Sequence, residues 1–169
     1  MTRSSVQTIL GALNQAGVRY LVVGGLAVVA HGHVRFTADI DILLDFDEEN
    51  LRRAMEVFAS LGFRPRAPVP LRQFADAEIR QGWIRDKGLT VFSLFSDDHP
   101  LTEVDLFVAD PLGFEEAYAR RATLAVAPDV AATFVAVDDL IRLKRSAGRP
   151  QDLVDAEALE QLRGERDDG

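Results

Sequence analysis

Apolar and polar positions along the chain fall into short, cleanly bounded segments. Residues Ser4–Ala16 place Val6, Ile9, Leu10 and Leu13 on one helical face, with Ser4 or Ser5 available as a cap and Gly17 as a stop. The apolar run Tyr20–Val23 predicts a buried strand that ends at the turn Gly24-Gly25, and Leu26–His31 has helical composition closed by Gly32. Ala38–Leu44 alternates, with Asp39 and Asp41 on one face and Ile40 and Ile42 on the other, which is the pattern of a strand. Asp47–Leu61 reads as a helix with acids in its first turn, an apolar face of Leu51, Met55, Phe58 and Leu61, and Gly62 at its end.

The second half continues the alternation. Arg64–Pro70 is proline-rich and extended, a loop or an edge strand. Gln73–Asp86 is ambiguous, with a helix ending before Lys87-Gly88 as one reading. Leu89–Phe95 and Thr102–Val108 read as strands, and Pro111 opens a short helix to about Arg120. Ala122–Ala127 and Thr133–Val137 look like strands around Pro128-Asp129, and Asp138–Arg145 and Pro150–Leu162 like helices. Strands and helices so interleaved predict an α/β (α+β) fold, a small mixed sheet flanked by helices with a helical pair at the C-terminal end. One domain over residues 1–163 is expected, with its core at about 16–137, the C-terminal helices at about 138–163 and a flexible acidic tail at 164–169.

Composition narrows the function classes. At 169 residues with 47% apolar and 27% charged residues, the chain is ordinary for a globular domain. It has no cysteine, which excludes disulfides, thiol nucleophiles and thiolate zinc sites. No segment has the ~20 apolar residues of a membrane span, and the N-terminal stretch is too polar for a secretory leader, so a cytoplasmic protein without a membrane partner is expected. The net charge of −8 argues against indiscriminate nucleic-acid binding, though a local basic strip acting on an RNA end is compatible with it.

The candidate chemistry lies between Tyr20 and Leu44. Two aspartates on one face of an otherwise apolar strand are costly unless a cation meets them. Carboxylates at i and i+2 stand roughly 6–7 Å apart at Cα and can converge on metal ions. Asp39 and Asp41 are therefore candidate metal ligands. Gly24 and Gly25 would let a phosphate approach backbone N–H groups at the start of the following helix; an ordinary tight turn is the plainer reading. Arg35, in the loop just before the aspartates, could reach phosphate and Thr37 could brace that loop; a plain exposed arginine is the commoner outcome. His31 and His33 lack the remaining ligands of a tetrahedral zinc site, so His31 reads as a packing or hydrogen-bonding residue. Lys144, among Ile141 and Leu143, either snorkels to solvent or pairs with an anion.

Gly24-Gly25 followed, after thirteen residues, by Asp39-Ile40-Asp41 resembles the signature of the DNA polymerase β-type nucleotidyltransferases. The wider patterns AVVAHGHVRFTADIDIL and LIRLKRSAGRPQDLVDAEAL are similar to the AbiEii/AbiGii toxin-type branch of that superfamily. The likeness spans most of residues 16–160. It implies an Mg²⁺-dependent (or Mn²⁺-dependent) enzyme that moves a nucleoside monophosphate from an NTP to a hydroxyl on RNA, such as tRNA, or on a partner protein, within a toxin–antitoxin or phage-defence pair that would supply a cognate antitoxin or toxin. It also implies a third catalytic and metal-binding carboxylate on a later strand; Asp105 matches, with Glu103 on the same face as its competitor. Lys144, Arg149 and Asp152 match the nucleotide-binding positions, although Asp152 also reads as an ordinary acid in the first turn of a helix. The competing class is a non-catalytic nucleotide- or partner-binding protein that keeps the fold.

Overall fold

A computed structural model describes residues 1–169. Its elements follow the sequence in the order α1 (Arg3–Gln15), β1 (Tyr20–Val23), α2 (Gly24–Ala30), β2 (Asp39–Leu44), α3 (Glu48–Ser60), β3 (Arg64–Pro65), α4 (Ala77–Lys87), β4 (Val91–Phe95), β5 (Glu103–Phe107), α5 (Phe114–Ala119), β6 (Ala122–Ala127), β7 (Val130–Phe134), α6 (Val137–Ala147) and α7 (Pro150–Asp167). The strands form one mixed sheet in the order β3-β4-β5-β2-β1-β7-β6. The α/β reading therefore holds, and no helix is long and apolar enough to cross a membrane.

The centre of the sheet carries the strands that hold the candidate acids. β1 and β2 run antiparallel, and β2 lies parallel to β5. Tyr20, Leu21, Val22 and Val23 are all buried, as are Ile40, Ile42, Leu43 and Leu44 of β2 and Val104 and Leu106 of β5. These strands are apolar enough to sit inside the sheet, and the polar side chains that β2 and β5 turn to the cleft are Asp39, Asp41 and Asp105. α2 packs on β1 and β2 and touches α6, while α1 packs on β7 and α3.

Several boundaries differ from the sequence reading, each for a local reason. Thr2, rather than Ser4 or Ser5, caps α1 by accepting a bond from the Ser5 N–H at 3.2 Å. Asp76 splits the ambiguous stretch: a short 3₁₀ turn spans Leu71–Ala75, and α4 starts after Asp76, whose side chain accepts from the Ile79 N–H at 3.0 Å. Pro111 does not open α5, because Asp110 gathers the backbone N–H groups of Leu112, Gly113 and Phe114 at 2.9, 3.0 and 2.6 Å and holds that stretch as a turn. The second hairpin strand is Val130–Phe134, and Val137 already belongs to α6. Instead of ending at Leu162, α7 continues to Asp167, and the Arg166 guanidinium donates to the His31 carbonyl at 2.8 Å.

Candidate active site

The sheet register assembles the acids. Asp41 on β2 is the direct cross-strand partner of Asp105 on β5, and Asp39 is the partner of Glu103. Side chains at i and i+2 of a strand share a face, so all four carboxylates stand on one side of the sheet. Asp105 and Glu103 differ in what holds them. The Glu103 carboxylate is bound by the Arg66 guanidinium, which keeps it below the usual carboxylate range. Asp105 instead accepts one bond from the Ser93 hydroxyl at 2.5 Å and lines the cleft beside Asp41.

Burial, with the negative charges of Asp105 and Asp39 beside it, pushes the Asp41 carboxyl up to about 6; Lys144 and the Gly25 N–H oppose the rise. Burial also raises Asp39, helped by Asp105 and Glu103. Carboxyls that hold protons too tightly are carboxylates short of positive charge. An all-oxygen donor set of this kind suits a hard divalent cation such as Mg²⁺. The backbone leaves room for it: a Cβ on Gly24 would lie 2.0 Å from Asp41 Oδ2, so only glycine lets that carboxylate occupy its position. No three His, Asp or Glu side chains are drawn together tightly enough to enclose an ion. Asp39, Asp41 and Asp105 thus fit a divalent cation by donor chemistry and placement rather than as a closed cage.

The turn is built differently from the simple expectation. Gly24 adopts φ +65°, which favours glycine, and α2 begins at that residue. The Gly25 N–H faces Asp41 and favours its charged form, so this amide serves the carboxylate. A Cβ on Gly25 would meet Thr37 Oγ1 at 2.7 Å and Arg35 Cζ at 3.5 Å, so the pair also gives the loop carrying Arg35 and Thr37 room to close down on the turn. Thr37 braces that loop, its hydroxyl donating to the Asp39 carbonyl at 3.3 Å. His31 is buried with Nε2 at 2.8 Å from the Val135 carbonyl, which makes it a packing residue.

The basic residues arrive from the far end of the chain. Lys144 on α6 is buried, and its ammonium lies 3.0 Å from Asp152 Oδ1 and 3.0 Å from Asp155 Oδ2 on α7. Asp155 also receives Arg35 at 2.6 Å, and Asp152 receives Arg149 at 2.7 Å. The result is a chain of alternating charge, Arg35–Asp155–Lys144–Asp152–Arg149, that ties the loop before β2 to both C-terminal helices. Burial opposes the ionisation of Asp152 and Asp155, but the bonds from Arg149 and Lys144 to the first, and from Gln151 and Lys144 to the second, hold both below the usual range. Lys144 therefore pairs with anions instead of snorkelling. The field of Lys144, and that of Arg149, reaches Asp41.

All ten residues expected at the site line one cleft of about 920 Å³, Lys144 and Asp152 among them despite their mutual ion pair. Two participants are not evident from motifs. Ser93 holds Asp105 from the neighbouring strand, and nothing in its own sequence context marks it. Asp155 is fully buried between Arg35 and Lys144; its i, i+3 spacing from Asp152 on a helix is the signal that could have found it.

The chain is similar in fold to solved nucleotidyltransferases. A crystal structure of the lincosamide antibiotic adenylyltransferase LnuA, lincomycin-bound, superposes with a TM-score of 0.63 at 14% identity, covering 96% of this chain and 98% of that one. ANT(2'')-Ia in complex with adenylyl-2''-tobramycin gives a TM-score of 0.57 at 18% identity over 96% and 94% of the two chains. A nucleotidyltransferase-type protein from Thermotoga maritima gives 0.55 at 15% identity over 96% and 92%. Among curated proteins, none matches the chain. A family model matches residues 6–165, almost the whole length, and the protein accordingly belongs to the nucleotidyltransferases of unknown function designated DUF6036.

Proposed function

We infer that this nucleotidyltransferase moves a nucleoside monophosphate from an NTP to a hydroxyl group with the help of Mg²⁺, in the cytoplasm: the hydroxyl oxygen bonds the α-phosphorus, the α–β phosphoanhydride breaks, and pyrophosphate leaves. The observation that carries the reading is the register of Asp41 against Asp105, with Asp39 beside them and Arg35, Lys144 and Arg149 lining the same cleft. A divalent ion held there would neutralise phosphate charge and favour ionisation of the attacking hydroxyl. The residues do the positioning. Asp39, Asp41 and Asp105 are the ligands and catalytic carboxylates, and Ser93 orients Asp105. Arg35 and Arg149, at the two ends of the ion chain, are the cations placed to meet the triphosphate, and Lys144 contributes positive field beside Asp41. Gly24, Gly25 and Thr37 set the turn and loop around that seat.

The acceptor hydroxyl belongs, by the likeness to toxin-type enzymes, to RNA such as tRNA or to a partner protein in a toxin–antitoxin or defence pair. A protein acceptor has the better support: the chain carries a net charge of −8, which disfavours a nucleic-acid backbone, and the few cations of the cleft are taken up by the triphosphate. The test is to incubate the protein with each α-labelled NTP, Mg²⁺, total RNA and cell lysate, with Asp41→Asn in parallel. Label that enters protein in an Asp41-dependent manner is the expected result. Label in RNA would reassign the acceptor, and no transfer with any NTP would refute the reading.

A further inference from the structure

The loop between α2 and β2 leaves apolar side chains in water at the rim of the cleft. Val34 and Phe36 are 88% and 84% exposed, the most exposed large hydrophobic side chains in the chain. The loop holds them in place. Arg35 between them is bound to Asp155 at 2.6 Å, and Thr37 donates to the Asp39 carbonyl, so Phe36 is tied on both sides. Exposure alternates from His33 to Asp39, with Val34, Phe36 and Ala38 outward and Arg35 and Thr37 partly covered, the pattern of an extended strand. Yet residues 34–38 make no backbone–backbone hydrogen bond. Arg35 Nε donates to the Phe36 carbonyl at 3.2 Å, and the other backbone N–H and C=O groups there have no partner within the protein. On α7, Val154 is 52% exposed and directly precedes the Asp155 that holds Arg35. Phe36 and Ala38 line the cleft, whereas Val34 and Val154 lie outside it.

Unpaired strand edges and exposed apolar surface both attract partners. Resting on the nucleotidyl-transfer reading with a protein acceptor, we propose that residues 33–38 are the edge on which that acceptor docks. An extended segment of the acceptor pairs with this backbone and sets apolar side chains, two residues apart, against Val34 and Phe36. Continuity with the cleft identifies the occupant. Phe36 belongs both to the edge and to the cleft lining, so whatever covers it also stands at the entrance to the acids. From Phe36 to Asp39 an extended chain covers roughly 10 Å. A serine, threonine or tyrosine about three residues from the docked apolar side chain therefore meets the carboxylates. Its hydroxyl oxygen bonds the α-phosphorus, its proton leaves to solvent, and pyrophosphate departs. A compact acceptor held inside the cleft would leave Val34 and Val154 in water. A nucleic-acid strand would find one cation on this edge, Arg35, on a chain of net charge −8.

The experiment gives the whole protein Mg²⁺, each α-labelled NTP and one of four probes. The first is a capped synthetic peptide of alternating valine and serine with a lysine at each end. The second replaces its valines by glycine and keeps every hydroxyl, the third is N-acetylserine amide, and the fourth is total RNA. The valine–serine peptide should be labelled with kcat/KM at least about tenfold above the glycine–serine peptide and N-acetylserine amide. Phe36→Ser and Val34→Ser remove exposed side chains, so both variants should melt like wild type and bind NTP unchanged. Together they should raise KM for the valine–serine peptide about tenfold or more while kcat stays near wild type. Equal use of the two peptides or of N-acetylserine amide, label in RNA alone, no labelled peptide, or an unchanged KM in the double variant would each overturn the docking edge. A wild-type protein that binds no NTP in calorimetry would instead remove the nucleotidyl-transfer reading beneath it.

Discussion

Replacing Asp41 by asparagine should stabilise the metal-free protein, although it destroys the proposed site. In the folded chain the Asp41 carboxyl is pushed from the ordinary 3.8 up to about 6 by burial and by Asp105 and Asp39. A raised carboxyl pKa means the fold favours the protonated form. The stability this group lends is fully present below 3.8 and is lost as pH rises through about 6. At pH 8 that loss is roughly 2–3 kcal/mol, allowing for some relaxation around the charge. Asparagine resembles the protonated acid in shape and cannot ionise, so it escapes the loss. For a chain of this size the variant should melt roughly 4–10 °C above wild type at pH 8. The measurement is thermal unfolding in EDTA at pH 8 and at pH 4, with the two proteins compared at each pH so that other titrating groups cancel. The difference should vanish near pH 4. Mg²⁺ with a non-hydrolysable NTP should then raise the wild type and leave the variant nearly unmoved. A variant that melts at or below wild type at pH 8 would show that Asp41 is already compensated within the protein, and the argument from uncompensated charge would fail.

Three further outcomes follow from the same geometry. Glu103→Gln should retain most transferase activity, since Arg66 already occupies that carboxylate, whereas Asp105→Asn should abolish it; initial rates with labelled NTP distinguish the two. Lys144→Ala should leave Asp152 and Asp155 facing each other without their shared cation, a loss of about 3–5 kcal/mol that calorimetry would read as a fall in Tm of roughly 10 °C. Gly24→Ala places a Cβ 2.0 Å from Asp41 Oδ2 at φ +65°, so it should displace that carboxylate and abolish Mg²⁺-dependent NTP binding measured by titration calorimetry.

The sequence exposed the acids because their cost is visible locally. Asp39 and Asp41 interrupt an apolar strand, and Asp105 does the same on β5. Period and composition also located most elements, because buried strands and one-sided helices must be written into the chain regardless of neighbours. What remained illegible depends on partners distant in sequence. That Glu103 is taken by Arg66 and Asp105 by Ser93 follows from β4 pairing with β5 on one side and with β3, which Arg66 directly follows, on the other, neither of which leaves a local mark. Lys144 could be read as anchored or free until α7 brought Asp152 and Asp155 to it. The Gly25 amide, expected to await a phosphate, faces Asp41, since β1 ends directly beside β2. The start of α5 differs from the sequence expectation because the Asp110 side chain outcompetes the preference of proline for a first helical turn.

The ion chain from Arg35 to Arg149 has a consequence for the order in which the molecule comes into being. During synthesis the glycine turn and the paired aspartates of β2 leave the ribosome early, and Asp105 follows, while Lys144, Asp152 and Asp155 emerge much later. Until α6 and α7 dock, Arg35 has no Asp155 to hold it and the cleft lacks one wall. A nascent or prematurely terminated chain thus carries the acids and Arg35 without Lys144 and Arg149, and without the Asp155 that holds Arg35. Such an arrangement delays completion of the cleft until translation has passed residue 155, and nonsense fragments ending before α7 should be inert.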